Sequence, residues 1–120
     1  MSIPNEALQK LLQEIEQKAS QSQQQINVVR AQIASKSRES RMVQLTLNEI
    51  NSLPEQTNVY EGVGKMFVMT PTADIKSKLT AENAELKTDT SSLEKKLQYL
   101  ETTYKNSQQH IEQLFKTGQA

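Results

Sequence analysis

Apolar residues recur at alternating steps of four and three through two long stretches of the chain. The alternation fails only in the segment between them. In the first stretch the positions are Leu8, Leu12, Ile15, Ala19, Ser22, Ile26, Val29, Ile33, Lys36, Ser40, Val43, Leu47 and Ile50, and ten of the thirteen are apolar. In the second they are Leu79, Asn83, Leu86, Thr90, Leu93, Leu97, Leu100, Tyr104, Ser107, Ile111 and Leu114, of which eight of eleven are apolar or tyrosine. This spacing keeps one stripe on one side of a helix and predicts coiled-coil helices over about 5–53 and about 72–117. Pro4 suits the first turn of the first helix, and Pro54 stops it because proline cannot donate the interior hydrogen bond. Thr70 can cap the second helix, with Pro71 at its first position and Asp74 favouring the positive helix start.

Between Pro54 and Ile75 the period changes from that of a helix to that of a strand. Asn58-Val59-Tyr60-Glu61 and Lys65-Met66-Phe67-Val68-Met69-Thr70 are rich in β-branched, aromatic and long apolar residues, and Gly62-Val63-Gly64 lies between them. Glycine supplies the positive φ that a tight connection demands. One β-hairpin is expected, with strands near 57–62 and 65–70. Gly62-Val63-Gly64-Lys65 also looks like the end of a phosphate-binding loop. That loop needs glycine where Val59 stands and Ser or Thr where Met66 stands, so the hairpin turn is the better reading.

Each arm is about 46 residues long, or roughly 69 Å as a helix. Arms of equal length joined by a hairpin favour antiparallel pairing within the chain, since neither stripe can be hidden alone. Pairing with the arm of a partner chain stays open, because heptads do not say which helix faces which. The expected fold is thus mostly α: one domain over 1–120, a long antiparallel coiled-coil hairpin of two helices joined by a single β-hairpin. A two-stranded hairpin is marginal in water by itself. This one carries apolar groups on both faces (Val59, Val63, Met66 and Val68; Tyr60, Phe67 and Met69), and its edges invite strand pairing. An oligomer interface is therefore expected here, formed by Val59, Tyr60, Val63, Gly64, Met66, Phe67 and Val68. In the polar part of the first seam, Ser35 to Ser40, local looseness is the expectation, although a polar seam residue can also fix register.

Composition narrows the function. Only 35% of residues are hydrophobic and 4% aromatic, against nearly half apolar in an ordinary globule; a narrow seam is all such a chain can bury. Fourteen basic and fourteen acidic residues leave no basic excess to neutralise nucleic-acid phosphates. No apolar run is long enough to span a bilayer, and the N-terminus lacks the pattern of a secretory signal. With no cysteine there is no disulfide and no thiolate metal site. The only histidine, His110, has no discernible partner for acid–base chemistry. No catalytic residue, metal site or cofactor is expected, and the compartment expected is the cytoplasm.

Towards the chain ends, apolar residues spill off the seam: Leu11 beside Leu8 and Leu12, and Phe115 beside Ile111 and Leu114. Such a patch either contacts something or tightens the end of the coil. Val28 and Met42 are also apolar and off the seam.

Heptad arms flanking Val59-Tyr60-Glu61-Gly62-Val63-Gly64-Lys65-Met66-Phe67, with Pro71 and Asp74-Ile75 opening the second arm and Glu6-Ala7-Leu8-Gln9-Lys10-Leu11 in the first, resemble the prefoldin family, and within it the β-class. The central segment has room for the single hairpin of that class and not for the two of the α-class. The resemblance covers essentially the whole chain, and Tyr60, Gly64 and Phe67 match the family's hairpin positions. It implies a heterohexamer of two α-class and four β-class subunits, whose hairpins form a β-barrel platform bearing six coiled-coil arms. It also implies that the tips bind unfolded polypeptides, chiefly actin and tubulin, without ATP, and that the client passes to the cytosolic group II chaperonin. Leu8, Leu11, Leu12, Ile111, Leu114 and Phe115 match the client-binding tips by location only. Neither nucleic acid nor membrane is an implied partner. The rival reading is a homodimeric structural coiled-coil scaffold or tether, which does not need the glycine- and aromatic-bearing interruption.

Overall fold

The computed structural model describes residues 4–118, with side-chain environments through 116. The element order is α1 (Asn5–Ser52), β1 (Val59–Val63), β2 (Met66–Thr70) and α2 (Thr72–Gly118). Both helices begin just after a proline. The Pro4 carbonyl accepts from the Leu8 amide at 2.9 Å, and the Pro71 carbonyl accepts from the Asp74 and Ile75 amides at 3.0 and 3.2 Å. Each proline thus occupies the cap, one place earlier than the first helical position expected for Pro71. Thr70 does not cap; its hydroxyl donates back to the Val68 carbonyl. At the other end of α1 the Leu53 amide turns inward to the Ile50 carbonyl at 3.2 Å, and Pro54 follows.

The chain divides into two compact units. In the first, residues 4–33 pack with residues 93–118. Ile26, Val29 and Leu100 form its buried centre, with Ile33, Leu93, Leu97 and Tyr104 packed around them. Ile15, Ala19 and Ser22 are buried on the same stripe of α1. The two segments run antiparallel: Arg30 donates to Glu101 at 3.0 Å, while residues 11–18 lie alongside 103–110. The second unit comprises residues 34–92. Leu47, Ile50, Ile75 and Leu86 are its buried apolar residues. Its helical segments are also antiparallel, with Lys36 opposite Asp89 and Ser40 opposite Asn83.

Every seam position expected on α1 and α2 is buried or half-buried. The polar ones are not loose. The Ser40 hydroxyl donates to Asn83 Oδ1 at 2.8 Å, and Asn83 Nδ2 donates to Gln44 Oε1 at 3.2 Å. Lys36 Nζ stands 3.7 Å from Asp89. A buried polar group without a partner is costly, and among the described residues no buried side-chain nitrogen or oxygen lacks one. Ser40 and Asn83 therefore act as a matched layer across the seam, the register-fixing role that one polar pair can play.

The apolar centre of the first unit carries the larger energetic weight. Ile26 is 2% exposed and Val28, two residues on, is 56% exposed. Ile26→Ala is expected to lower the unfolding free energy by about 2–5 kcal/mol, and Val28→Ala to change it by less than about 0.5 kcal/mol. Urea melts of the two variants check this.

Candidate functional site

The hairpin owes its shape to one residue. Gly64 has φ +62°, the only positive φ among the described residues. With Val63 paired to Met66, Gly64 and Lys65 make a two-residue loop whose first member alone has positive φ. That is the type II′ pattern, whose twist matches antiparallel strands. Gly62, at the end of the strand expected near 57–62, lies inside β1 opposite Phe67. A Cβ there would meet Phe67 Cε1 at 3.8 Å, an ordinary contact.

Register sorts the strand residues onto two faces. Tyr60 pairs with Met69 and Gly62 with Phe67; on the other face Val59 pairs with Thr70, Glu61 with Val68, and Val63 with Met66. The first face is open to solvent, with Tyr60 58%, Met69 61% and Phe67 78% exposed. On the second face Val59 and Thr70 are half-buried, whereas Val63, Met66 and Val68 remain exposed. The candidate interface residues are thus gathered on one small sheet. Met69 joins them by its pairing with Tyr60.

One ion pair ties this sheet to α2. Lys78 Nζ meets Glu61 Oε1. The hydrogen bond that Lys78 Nζ donates to the Glu61 carboxylate, and then the charge of that carboxylate, hold the Lys78 ammonium above the ordinary lysine value. The spacing of seventeen residues across a change of element hid this pair from sequence reasoning. Ile75 was likewise missed, although one further step of four back from Leu79 reaches it, and it is buried.

The candidate tip residues all belong to the first unit. Leu8, Leu11, Leu12, Ile111 and Leu114 are half-buried, and Phe115 is 52% exposed. Leu11 lines a shallow groove with Ile15, Thr103 and Ser107, rimmed by Glu14, Lys18 and His110. Ile111 lies in a different groove, with Ala19 and Tyr104. Leu11 and Ile111 thus line different grooves. Among the described residues no cluster of metal-ligating side chains occurs, and no helix is long and apolar enough to cross a membrane.

Comparison with known proteins gives these surfaces a context. The model of the family described as prefoldin subunit matches residues 13–118. The chain belongs to the prefoldin subunit family. It is 37% identical over 107 residues to the probable prefoldin subunit 1 of Schizosaccharomyces pombe, covering 89% of this chain and 96% of that protein. It is 31% identical over 113 residues to prefoldin subunit 1 of Homo sapiens, covering 94% and 93%. The crystal structure of the prefoldin beta subunit from Thermococcus strain KS-1 superposes with a TM-score of 0.81 at 25% identity, covering 86% of this chain and 90% of that one. Membership in the prefoldin family implies a non-enzymatic chaperone cofactor that assembles with other prefoldin subunits. The two long helices with a two-stranded hairpin between them match the β-subunit fold, as the heptads and the single strand-like interruption predicted.

The Glu61–Lys78 tie has a definite pH signature. A lysine whose folded value is raised contributes stability that is fully present below its unfolded value and is lost as pH rises through the folded one. The pair is exposed, so its contribution is modest. The stability difference between the native chain and Lys78→Met is expected to stay constant up to the ordinary lysine value of 10.5. It should vanish at higher pH. Urea titrations of both proteins along a pH series measure it.

Proposed function

We propose that this chain is a β-class subunit of a heterohexameric, ATP-independent prefoldin cochaperone. On this reading it assembles through Val59, Tyr60, Val63, Gly64, Met66, Phe67 and Val68, and it helps to hold unfolded polypeptides at its arm tips. The observation that carries the reading is the uncovered hairpin: six large apolar residues, Tyr60, Val63, Met66, Phe67, Val68 and Met69, are 44–78% exposed on two five-residue strands. Sheet edges and apolar faces left open in this way call for other strands. Hairpins of the companion α- and β-class subunits would supply them, closing a β-barrel platform. A homodimeric tether would have no use for such a sheet.

Leu8, Leu11, Leu12, Ile111, Leu114 and Phe115 form the client surface in this proposal. The half-buried leucines and the exposed Phe115 offer shallow apolar contact. Shallow contact suits a binder of chains that have no fixed shape. Several weak tips on one platform gain avidity because each further contact is effectively intramolecular. The clients expected are unfolded chains such as actin and tubulin, handed on to the group II chaperonin in the cytoplasm.

Native mass spectrometry of the gently purified protein tests the assembly. A complex of six different small subunits is expected, and a homodimer with no companions would overturn the proposal. Phe67→Asp, or Tyr60→Asp, is expected to abolish the complex while circular dichroism retains its helical signal. Leu11→Ser with Phe115→Ser is expected to leave the complex intact and to weaken suppression of client aggregation. Undiminished suppression by that double variant would move the client site elsewhere.

A further inference from the structure

The hairpin carries two of the chain's four methionines. Met66 pairs with Val63 and Met69 with Tyr60, so the two thioethers lie on opposite faces of the sheet. Both are open to solvent, Met66 at 67% and Met69 at 61% exposed. Met1 lies outside the described residues, and Met42 stands on α1, 69% exposed. With no cysteine in the chain, methionine is the only sulfur that an oxidant can reach.

A thioether is apolar and adaptable, which suits a contact surface. Its sulfoxide is polar and disrupts apolar interfaces. In the reaction the sulfur lone pair attacks one oxygen of a hydroperoxide, the O–O bond breaks, and that oxygen stays on sulfur. The other oxygen leaves in an alcohol, or in water when the oxidant is hydrogen peroxide. Sulfur loses two electrons and the peroxide gains them. A dithiol reductase reverses the change, releasing the oxygen as water and ending as a disulfide.

Placement gives these two methionines their consequence. Tyr60, Val63, Phe67 and Val68 share the sheet with them, and the one charged strand residue, Glu61, is engaged by Lys78. A cover fitted to two thioethers sets no donor aside for an added oxygen, and a polar oxygen buried without a partner is costly. Because Met66 and Met69 lie on opposite faces, their oxidation spoils both sides of the sheet.

We infer that Met66 and Met69 are oxidation sites that control assembly: a free chain oxidised at the hairpin joins its complex only after the sulfoxides are reduced. The inference rests on the assembly proposed above. Once the chain has joined, the same thioethers are covered and react slowly, so assembled copies are spared.

The test treats the full chain, alone, with hydrogen peroxide, removes the peroxide, and mixes the chain with its partner subunits for native mass spectrometry. The tryptic peptide 66–76 holds both methionines and reports the oxygens added. Chain carrying both sulfoxides is expected to keep its helical circular dichroism and to assemble at least about tenfold more weakly. Methionine sulfoxide reductases acting on both epimers are expected to restore it. Normal assembly of the doubly oxidised chain overturns the inference, and so does failure to recover once the sulfoxides are gone. Met42→Leu is expected to lose assembly on the same treatment, whereas Met66→Leu with Met69→Leu, a nearly volume-conserving change, is expected to keep it. Equal loss by that pair would also overturn the inference. Peptide 66–76 is expected to take up oxygen at least about tenfold more slowly in the assembled complex than in the free chain, and equal uptake would refute the cover. Phe67→Asp separates the two readings. If it abolishes assembly while the oxidised chain assembles normally, the inference falls alone. If Phe67→Asp itself assembles normally, the assembly reading falls and takes the inference with it.

Discussion

A helix with an apolar stripe on one side cannot cover that stripe itself, and in this chain each stripe is covered by the other helix. Ile26 and Val29 of α1 close on Leu100 of α2 in the first unit, and Leu47, Ile50, Ile75 and Leu86 are buried in the second. Everything else depends on this mutual cover. With only 35% of its residues hydrophobic, the chain has little apolar surface beyond the seam. The large apolar side chains that remain uncovered lie mostly on the hairpin; the others are Val28, Met42 and Leu45 on α1, Leu53 just past its end, and Tyr99 and Phe115 on α2.

Mutual cover by apolar side chains is permissive about register, because one leucine fits another's place. The polar layer removes that freedom. Ser40, Asn83 and Gln44 satisfy one another in a single alignment, and sliding the helices by one heptad would bury Asn83 against apolar neighbours without its partners. Register in turn decides where α2 begins relative to the end of α1, and hence how β1 and β2 are carried. The tie from Glu61 to Lys78 adds a polar anchor between sheet and helix.

The sequence made the helices legible because a period is a property of positions. All the seam positions named from the heptads are at least half covered. Partners are not a property of positions, so the meeting of Ser40 with Asn83, and of Glu61 with Lys78, could not be read from spacing. The turn was legible in kind but not in place. Gly62 and Gly64 could each have held the bend, and only the backbone assigns the positive φ to Gly64 while Gly62 sits opposite Phe67. The prolines were read correctly as helix boundaries, with Pro71 one position off, because a residue without an amide hydrogen serves equally well as cap or first turn. The tips were least legible. Whether an apolar residue beside a seam lies open or folds into a groove depends on the side chains opposite, as for Leu11 beside Thr103 and Ser107.

The open hairpin also bears on how much of this protein a cell can tolerate. A chain made in excess of its companions keeps Tyr60, Phe67 and Met69 uncovered on a sheet with free edges. Such a sheet does not discriminate well between the strand it was made to meet and any other strand. On the assembly proposed above, a surplus copy is a hazard in proportion to its concentration, and its synthesis has to be matched to that of the subunits that would cover it.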